Sequence, residues 1–120
     1  MNKNKKQNKK TYTNFDGEIH GKGKPENYKR DFLFDSDVLN ETLLITGVQK
    51  HDEYENDYGN ITKQFILFAK RDGQEVKIMT NHAFVYGIIR HLQEKGTPLN
   101  VKIMKYETKK GKTRYFLETP

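Results

Sequence analysis

Apolar and polar residues alternate on both sides of an Asp-Gly pair in "ITKQFILFAKRDGQEVKIMT" (61–80). Phe65, Leu67 and Ala69 lead up to Asp72-Gly73, and Val76 and Ile78 lead away from it. A period of two marks half-buried strands, and Asp-Gly accepts the positive φ that a two-residue hairpin turn requires. The turn fixes a register: Arg71 opposite Gln74, Ala69 opposite Val76, Phe68 opposite Lys77, Leu67 opposite Ile78 and Ile66 opposite Met79. Opposed residues share a face. Phe65, Leu67, Ala69, Val76 and Ile78 therefore form an interior set, while Phe68 and Lys77 stand on the other face with Ile66 and Met79.

The same reading extends along the chain. "ETLLITGVQKH" predicts a strand before this hairpin, with Gly47 as a bulge or bend. Between the two lies "HDEYENDYGN", polar and acidic, which reads as a loop. After the hairpin the period changes. In "NHAFVYGIIRHLQEKG", Val85, Ile88, Ile89 and Leu92 follow the i, i+3, i+4, i+7 spacing of one helix face. Asn81 is placed to cap the helix start, and Lys95, Gly96 and Pro98 suit its end. "LNVKIMKYET" and "TRYFLE" then give two more strands. The order is β-β-β-α-β-β, which predicts an all-β, five-stranded Greek-key barrel of the OB-fold type with one helix between strands three and four. An α+β sheet with one covering helix is the competing architecture. In an OB-fold, strands two and three and the loops between strands one and two and between four and five bind oligonucleotides or oligosaccharides.

The last two strands enclose "KYETKKGKTRYFLE" (105–118). A three-residue loop Lys110-Gly111-Lys112 would pair Tyr106 with Phe116 and Thr108 with Arg114, whereas a two-residue loop exchanges the partners. In the first version Tyr106, Arg114 and Phe116 share the exposed face, Ile103, Tyr115 and Leu117 face inward, and Lys109, Lys110 and Lys112 crown the tip. Rings accept stacked bases and lysines follow phosphates. A solvated hairpin charged to discourage edge association is the plain alternative. Phe68 has a plain alternative of its own, which is to pack beneath the apolar "DFLFD" segment.

Charge sharpens this picture. Of 22 basic and 16 acidic residues, nine basic and three acidic ones lie in residues 1–30, so that segment carries the whole formal +6. Residues 31–57 hold eight acids and Lys50 alone among Lys and Arg, while residues 58–120 hold twelve bases and five acids. A basic tail and a basic second half suit a polyanion. Residues 1–30 are rich in Lys, Asn and Gly and poor in aliphatics, so a disordered basic tail is expected there, followed by one domain over 31–120. Tyr12 and Phe15 are the tail's aromatic exceptions. The chain has no cysteine, which excludes disulfides and thiolate chemistry. It also lacks an apolar run long enough for a membrane helix or a secretory signal. A cytoplasmic protein is expected, with no membrane partner.

Tyr54 and Tyr58 lie in the acidic loop, where they can stack on bases, but Asp52, Glu53, Glu55 and Asp57 would repel phosphates. Beside His51 these carboxylates raise a metal-dependent nuclease as an option, yet a loop supplies neither fixed coordination nor a protected pocket. The loop can instead hold the basic tail in the free protein. His82 and His91 stand on opposite faces of the predicted helix and cannot share a metal. No Ser-His-Asp or phosphate-loop signature occurs, so no enzyme, no metal and no cofactor are expected.

With this strand order and the ending "KIMKYETKKGKTRYFLE", residues 38–118, about two-thirds of the chain, resemble the compact single-stranded DNA-binding proteins of bacteriophages. The chain departs from that pattern in lacking tryptophan and in ending "FLETP" rather than in an acidic tail. The resemblance implies a non-enzymatic protein that coats and protects single-stranded DNA with little sequence preference during phage or mobile-element replication in a bacterial host. The nucleic-acid-binding set is then Tyr54, Tyr58, Lys63, Phe68, Lys77, Lys102, Tyr106, Lys109, Lys110, Lys112, Arg114 and Phe116. Replication proteins are candidate partners. An RNA-binding OB module and a small protein-binding inhibitor of a host enzyme are the rival functions. Ile66, Met79 or the edge of the first strand are the candidates for a homo-oligomer contact.

Overall fold

A computed structural model describes residues 18–24, 32–50, 54–55, 58–59 and 61–120, with backbone alone at 54–55 and 61–62. The expected tail therefore lies outside the described residues except for 18–24, as do Tyr12, Phe15, His51, Asp52, Glu53 and Asp57. The described chain is mostly strand, arranged as a curled sheet with one α-helix.

In chain order the strands are β1 (Ile19–Gly21), β2 (Leu33–Phe34), β3 (Thr42–Lys50), β4 (Tyr54–Glu55), β5 (Ile61–Thr62), β6 (Phe65–Arg71), β7 (Gln74–Thr80), β8 (Leu99–Glu107) and β9 (Thr113–Glu118). A 3-10 turn spans Asp35–Asp37, and α1 (Val85–Lys95) lies between β7 and β8. The main sheet runs β2-β7-β6-β3-β8-β9, with β1 added to β3. Its five long strands thus follow the predicted order along the chain, with the helix between the third and the fourth.

β3 is the centre of the sheet because its alternation buries Leu43, Ile45 and Val48 completely. It pairs with β6 along one side. Along the other side it pairs with β8 over Thr42 to Ile45, and with β1 over Gly47 to Gln49. The change of partner coincides with a bulge between Ile45 and Gly47, where the glycine was expected to bend the strand. β1 takes up the backbone groups that β8 leaves behind, as a buried ladder requires. Two further bonds bracket this pairing, Lys22 N–H to the Thr46 carbonyl at 2.8 Å and Lys50 N–H to the Glu18 carbonyl at 2.9 Å. Residues 18–24 are accordingly a strap on the sheet, not part of a free tail. Their placement rests on two glycines. Gly21 has φ +80°, and a Cβ there would sit 2.3 Å from the Thr46 carbonyl oxygen. A Cβ on Gly47 would sit 2.1 Å from the Lys22 carbonyl oxygen.

The β6–β7 hairpin has the predicted register, from Arg71–Gln74 to Ile66–Met79. Asp72 (φ 53°) and Gly73 (φ 80°) both take the left-handed conformation of its turn. The predicted second strand is interrupted, however. Residues 61–62 pair back with β4 in a separate two-stranded ribbon, and β6 begins only at Phe65. Within "HDEYENDYGN", Tyr54–Glu55 is thus a short strand where the sequence predicted only loop.

α1 presents Val85, Ile88 and Leu92 to the core and ends at Gly96 with φ 69°. Asn81 does not cap it. The carbonyls of His82 and Ala83 accept from the N–H groups of Val85 and Tyr86, so two overlapping turns lead into the helix, and the capping position falls at Phe84 with no side-chain bond. The helix packs against β3, β1 and β8. The interior gathers side chains from β3, β6, β7, β8 and α1, including Phe65, Leu67, Ile78, Val101 and Ile103, and Val38 just before β3. A second, smaller cluster lies on the outer face, where Ile66 and Met79 are buried beneath Phe32 and Phe68. These two residues are covered within the chain and do not form the open oligomer contact that the sequence suggested.

Candidate nucleic-acid interface

The β8–β9 hairpin differs from its predicted register by one loop position. Lys105 faces Tyr115, Tyr106 faces Arg114, and Met104 faces Phe116. At the tip, Gly111 N–H donates to the Thr108 carbonyl at 2.9 Å and Thr108 N–H to the Lys112 carbonyl at 2.8 Å. The loop is therefore Lys109-Lys110-Gly111. A three-residue hairpin loop places its left-handed residue last, after a type I turn, and Gly111 with φ 82° occupies that place. The predicted loop Lys110-Gly111-Lys112 had put the glycine in the middle.

The shift preserves the faces. Tyr106 and Phe116 are now diagonal neighbours, their centroids 5.7 Å apart at an interplanar angle of 62°. They are 53% and 38% exposed, which leaves much of both rings open to a ligand. Arg114, Lys109, Lys110 and Lys112 are exposed around them, and Lys102 is half-buried further along β8.

Registers carry this face across the sheet. Lys77 opposes Phe68, Lys70 opposes Leu44, Leu44 opposes Asn100, and Lys102 opposes Glu118. Since opposed and alternate residues share a face, Lys77, Phe68, Lys102, Tyr106, Arg114 and Phe116 all stand on the outer side of one curled sheet. Lys70 also belongs to this face, and Lys105 is exposed on the hairpin's other side. The sequence reading omitted both. Glu75 and Glu118, opposite Lys70 and Lys102, moderate the charge of the sheet proper, so on this face of the described residues the exposed cations are densest at the hairpin tip.

Phe68 is held differently from the hairpin rings. It is half-buried against the Ile66–Met79 cluster, as Phe32 is, and its ring lies so close under Gly23 that a Cβ there would come within 2.5 Å of it. It therefore sits beneath the 18–24 strap, a different segment from the "DFLFD" stretch named by the sequence alternative, whose Phe32 packs against the same small cluster. Tyr58 is 87% exposed and Lys63 is exposed. The side chain of Tyr54 lies outside the described residues.

A cleft of about 240 Å³ is lined by residues 34–36, Gln64, the end of β7 and the turn after it (Met79 to His82), and Tyr115 of β9. The His82 and Tyr115 rings stack on each other in its wall, with centroids 4.4 Å apart. Asp35 is 7% exposed. Its Oδ2 accepts from Thr80 Oγ1 at 2.8 Å and lies 3.3 Å from His82 Nε2, while its Oδ1 is buried with no hydrogen-bond partner among the described residues. Burial pushes the Asp35 carboxyl above its ordinary pKa, and the Thr80 hydrogen bond and the charge of His82 act against that shift. No signal in the sequence brought Asp35, Thr80, His82 and Tyr115 together.

The described residues contain no group of three or more His, Cys, Asp or Glu placed to hold a metal ion. No described helix is long and apolar enough to cross a membrane. Compared with protein-family models, curated proteins and solved structures, the chain has no match.

Proposed function

We propose that this is a non-enzymatic OB-fold protein that coats single-stranded DNA with little sequence preference. The observation that carries the reading is the exposed Tyr106–Phe116 ring pair on a hairpin whose tip holds Lys109, Lys110 and Lys112 beside Arg114. Stacking on such rings contributes about 1–3 kcal/mol per base whatever the base, and the cations neutralise phosphates. Five strands in the order β7-β6-β3-β8-β9, with a helix after the third in sequence, support the OB assignment. The binding path runs along the β8–β9 hairpin and the outer face through Lys102 towards Lys77. Tyr58 and Lys63 approach from the segment between β3 and β6, and Phe68 joins when the N-terminal strap moves. Coating during phage or mobile-element replication in a bacterial cytoplasm, alongside replication proteins, is the setting this reading implies.

Anisotropy titration of labelled oligo-dT at two salt concentrations tests it, with duplex DNA and oligo-U as competitors. Tight, salt-sensitive binding that duplex DNA fails to displace is the expected result. Effective competition by oligo-U would transfer the assignment to RNA, and absence of binding at low salt would favour a protein partner instead.

A further inference from the structure

We infer that β9 is the edge through which two copies of this chain pair, antiparallel and symmetric about Phe116. β9 ends the sheet path, and among the described residues it pairs with β8 alone. Its backbone phase follows from the hairpin tip. Thr108 N–H donates to the Lys112 carbonyl, so Tyr106 with Arg114, Met104 with Phe116 and Lys102 with Glu118 are the hydrogen-bonded pairs of the ladder. Thr113, Tyr115 and Leu117 therefore turn their N–H and C=O groups away from β8, and no described backbone group bonds to them. Such a row is a template for another strand. The common defences are missing: β9 has no proline and no bulge, and its two charges, Arg114 and Glu118, have opposite sign. β3, the edge that the sequence suggested, is by contrast paired on both sides.

Self-complementarity selects the second copy as occupant. With the two strands laid antiparallel about Phe116, Tyr115 and the partner's Leu117 exchange both of their backbone bonds, and symmetry repeats the exchange. The same register sets Arg114 opposite the partner's Glu118, and Phe116 beside the partner's Phe116, on the outer face. Opposite charges and paired rings at such positions stabilise a ladder. All six side chains of β9 are exposed or half-buried, so each is open to a neighbour. The contact goes beyond the single-strand-binding reading and stands without it. Where both hold, Tyr106, Phe116 and the partner's two rings lie on one diagonal across a continuous outer face.

A six-residue edge is a small interface, so the dimer should dissociate with a constant of about 10–100 µM. Sedimentation velocity of the full chain without DNA, from about 5 to 500 µM, reads it. Glu118→Arg sets like charges opposite each other at both ends of the contact and should weaken the dimer about tenfold. Adding Arg114→Glu should restore it. Both variants share the same new neighbour for Lys102, so their difference isolates the pair between copies. The register has its own readout, since the chain has no cysteine. Phe116→Cys would place two thiols at a non-hydrogen-bonded pair with Cα atoms about 4.5 Å apart, within the span of a disulfide. With oxidised glutathione it should run as a covalent dimer on a non-reducing gel, while Lys105→Cys, one strand further in, should not. A chain that stays monomeric at the highest concentration overturns the edge pairing. So does a double variant no tighter than Glu118→Arg, or equal cross-linking at the two positions, and each leaves the oligo-dT result untouched.

Discussion

Replacing Gly47 with alanine should detach the N-terminal strap from the sheet. The new Cβ would lie 2.1 Å from the Lys22 carbonyl oxygen, 2.7 Å from the Lys22 carbonyl carbon and 3.0 Å from the His20 carbonyl oxygen. All three are backbone atoms, so no side-chain rotation relieves the clash and β1 must move away. The bonds from Lys22 to Thr46 and from Lys50 to Glu18 then go, at about 1 kcal/mol each. Ile19 is half-buried, and exposing it adds about 1 kcal/mol. The total is about 3 kcal/mol, read as a lower urea midpoint, with a slightly smaller m-value because the detached strap no longer adds to the surface exposed on unfolding. Circular dichroism during urea titration measures it directly. A loss below about 0.5 kcal/mol, the ordinary scatter of surface substitutions, would show that the strap contributes nothing to the fold.

Gly87→Ala is the opposite case. The position is exposed in α1 with nothing within 4 Å of a Cβ, so alanine should stabilise by about 0.5–1 kcal/mol in the same titration. Replacing Lys109, Lys110 and Lys112 together by glutamine should reduce the slope of log affinity against log salt for oligo-dT by about 2, at roughly 0.7 per neutralised phosphate on single strands; an unchanged slope would remove the tip from the binding path. Asp35→Asn should alter the pH dependence of stability. The folded carboxyl has a raised pKa, so the native state holds its proton more firmly than the unfolded chain does, and this group's contribution improves as pH falls through the folded-state pKa. The variant should therefore exceed the parent in melting temperature at neutral pH, with the gap closing on acidification. A gap that widens in acid would contradict the raised pKa.

The extent to which the chain announced its structure varied from element to element, for identifiable reasons. The β6–β7 register and the α1 face were readable because a two-residue Asp-Gly turn and a 3.6-residue period are local signals, and local signals agreed with tertiary packing. β1 and β2 were not. At three and two residues they have no period to display, and they exist because β3 and β7 offer them partners. The β8–β9 faces were legible from alternation alone, but their partners depended on where one glycine sits in a three-residue loop. Among the candidate residues, Tyr106, Arg114, Phe116 and the tip lysines were brought together by that alternation. Phe68 shows its limit, since a ring on an outward face can still be covered by a distant segment. The cleft lay beyond sequence reasoning altogether, because its carboxylate, its hydroxyl and imidazole, and its phenol come from three separate points of the chain.

The central claim is that the β8–β9 hairpin is a stacking wall for single strands, and the double variant Tyr106→Ala, Phe116→Ala tests it most directly. Both rings are partly exposed, so the fold should survive. Affinity for oligo-dT, measured by anisotropy at fixed salt, should fall about 30-fold or more, since each ring contributes about 1–3 kcal/mol, while the salt slope stays as in the parent. Affinity within about a factor of two of the parent would contradict the account and move the binding path off this hairpin.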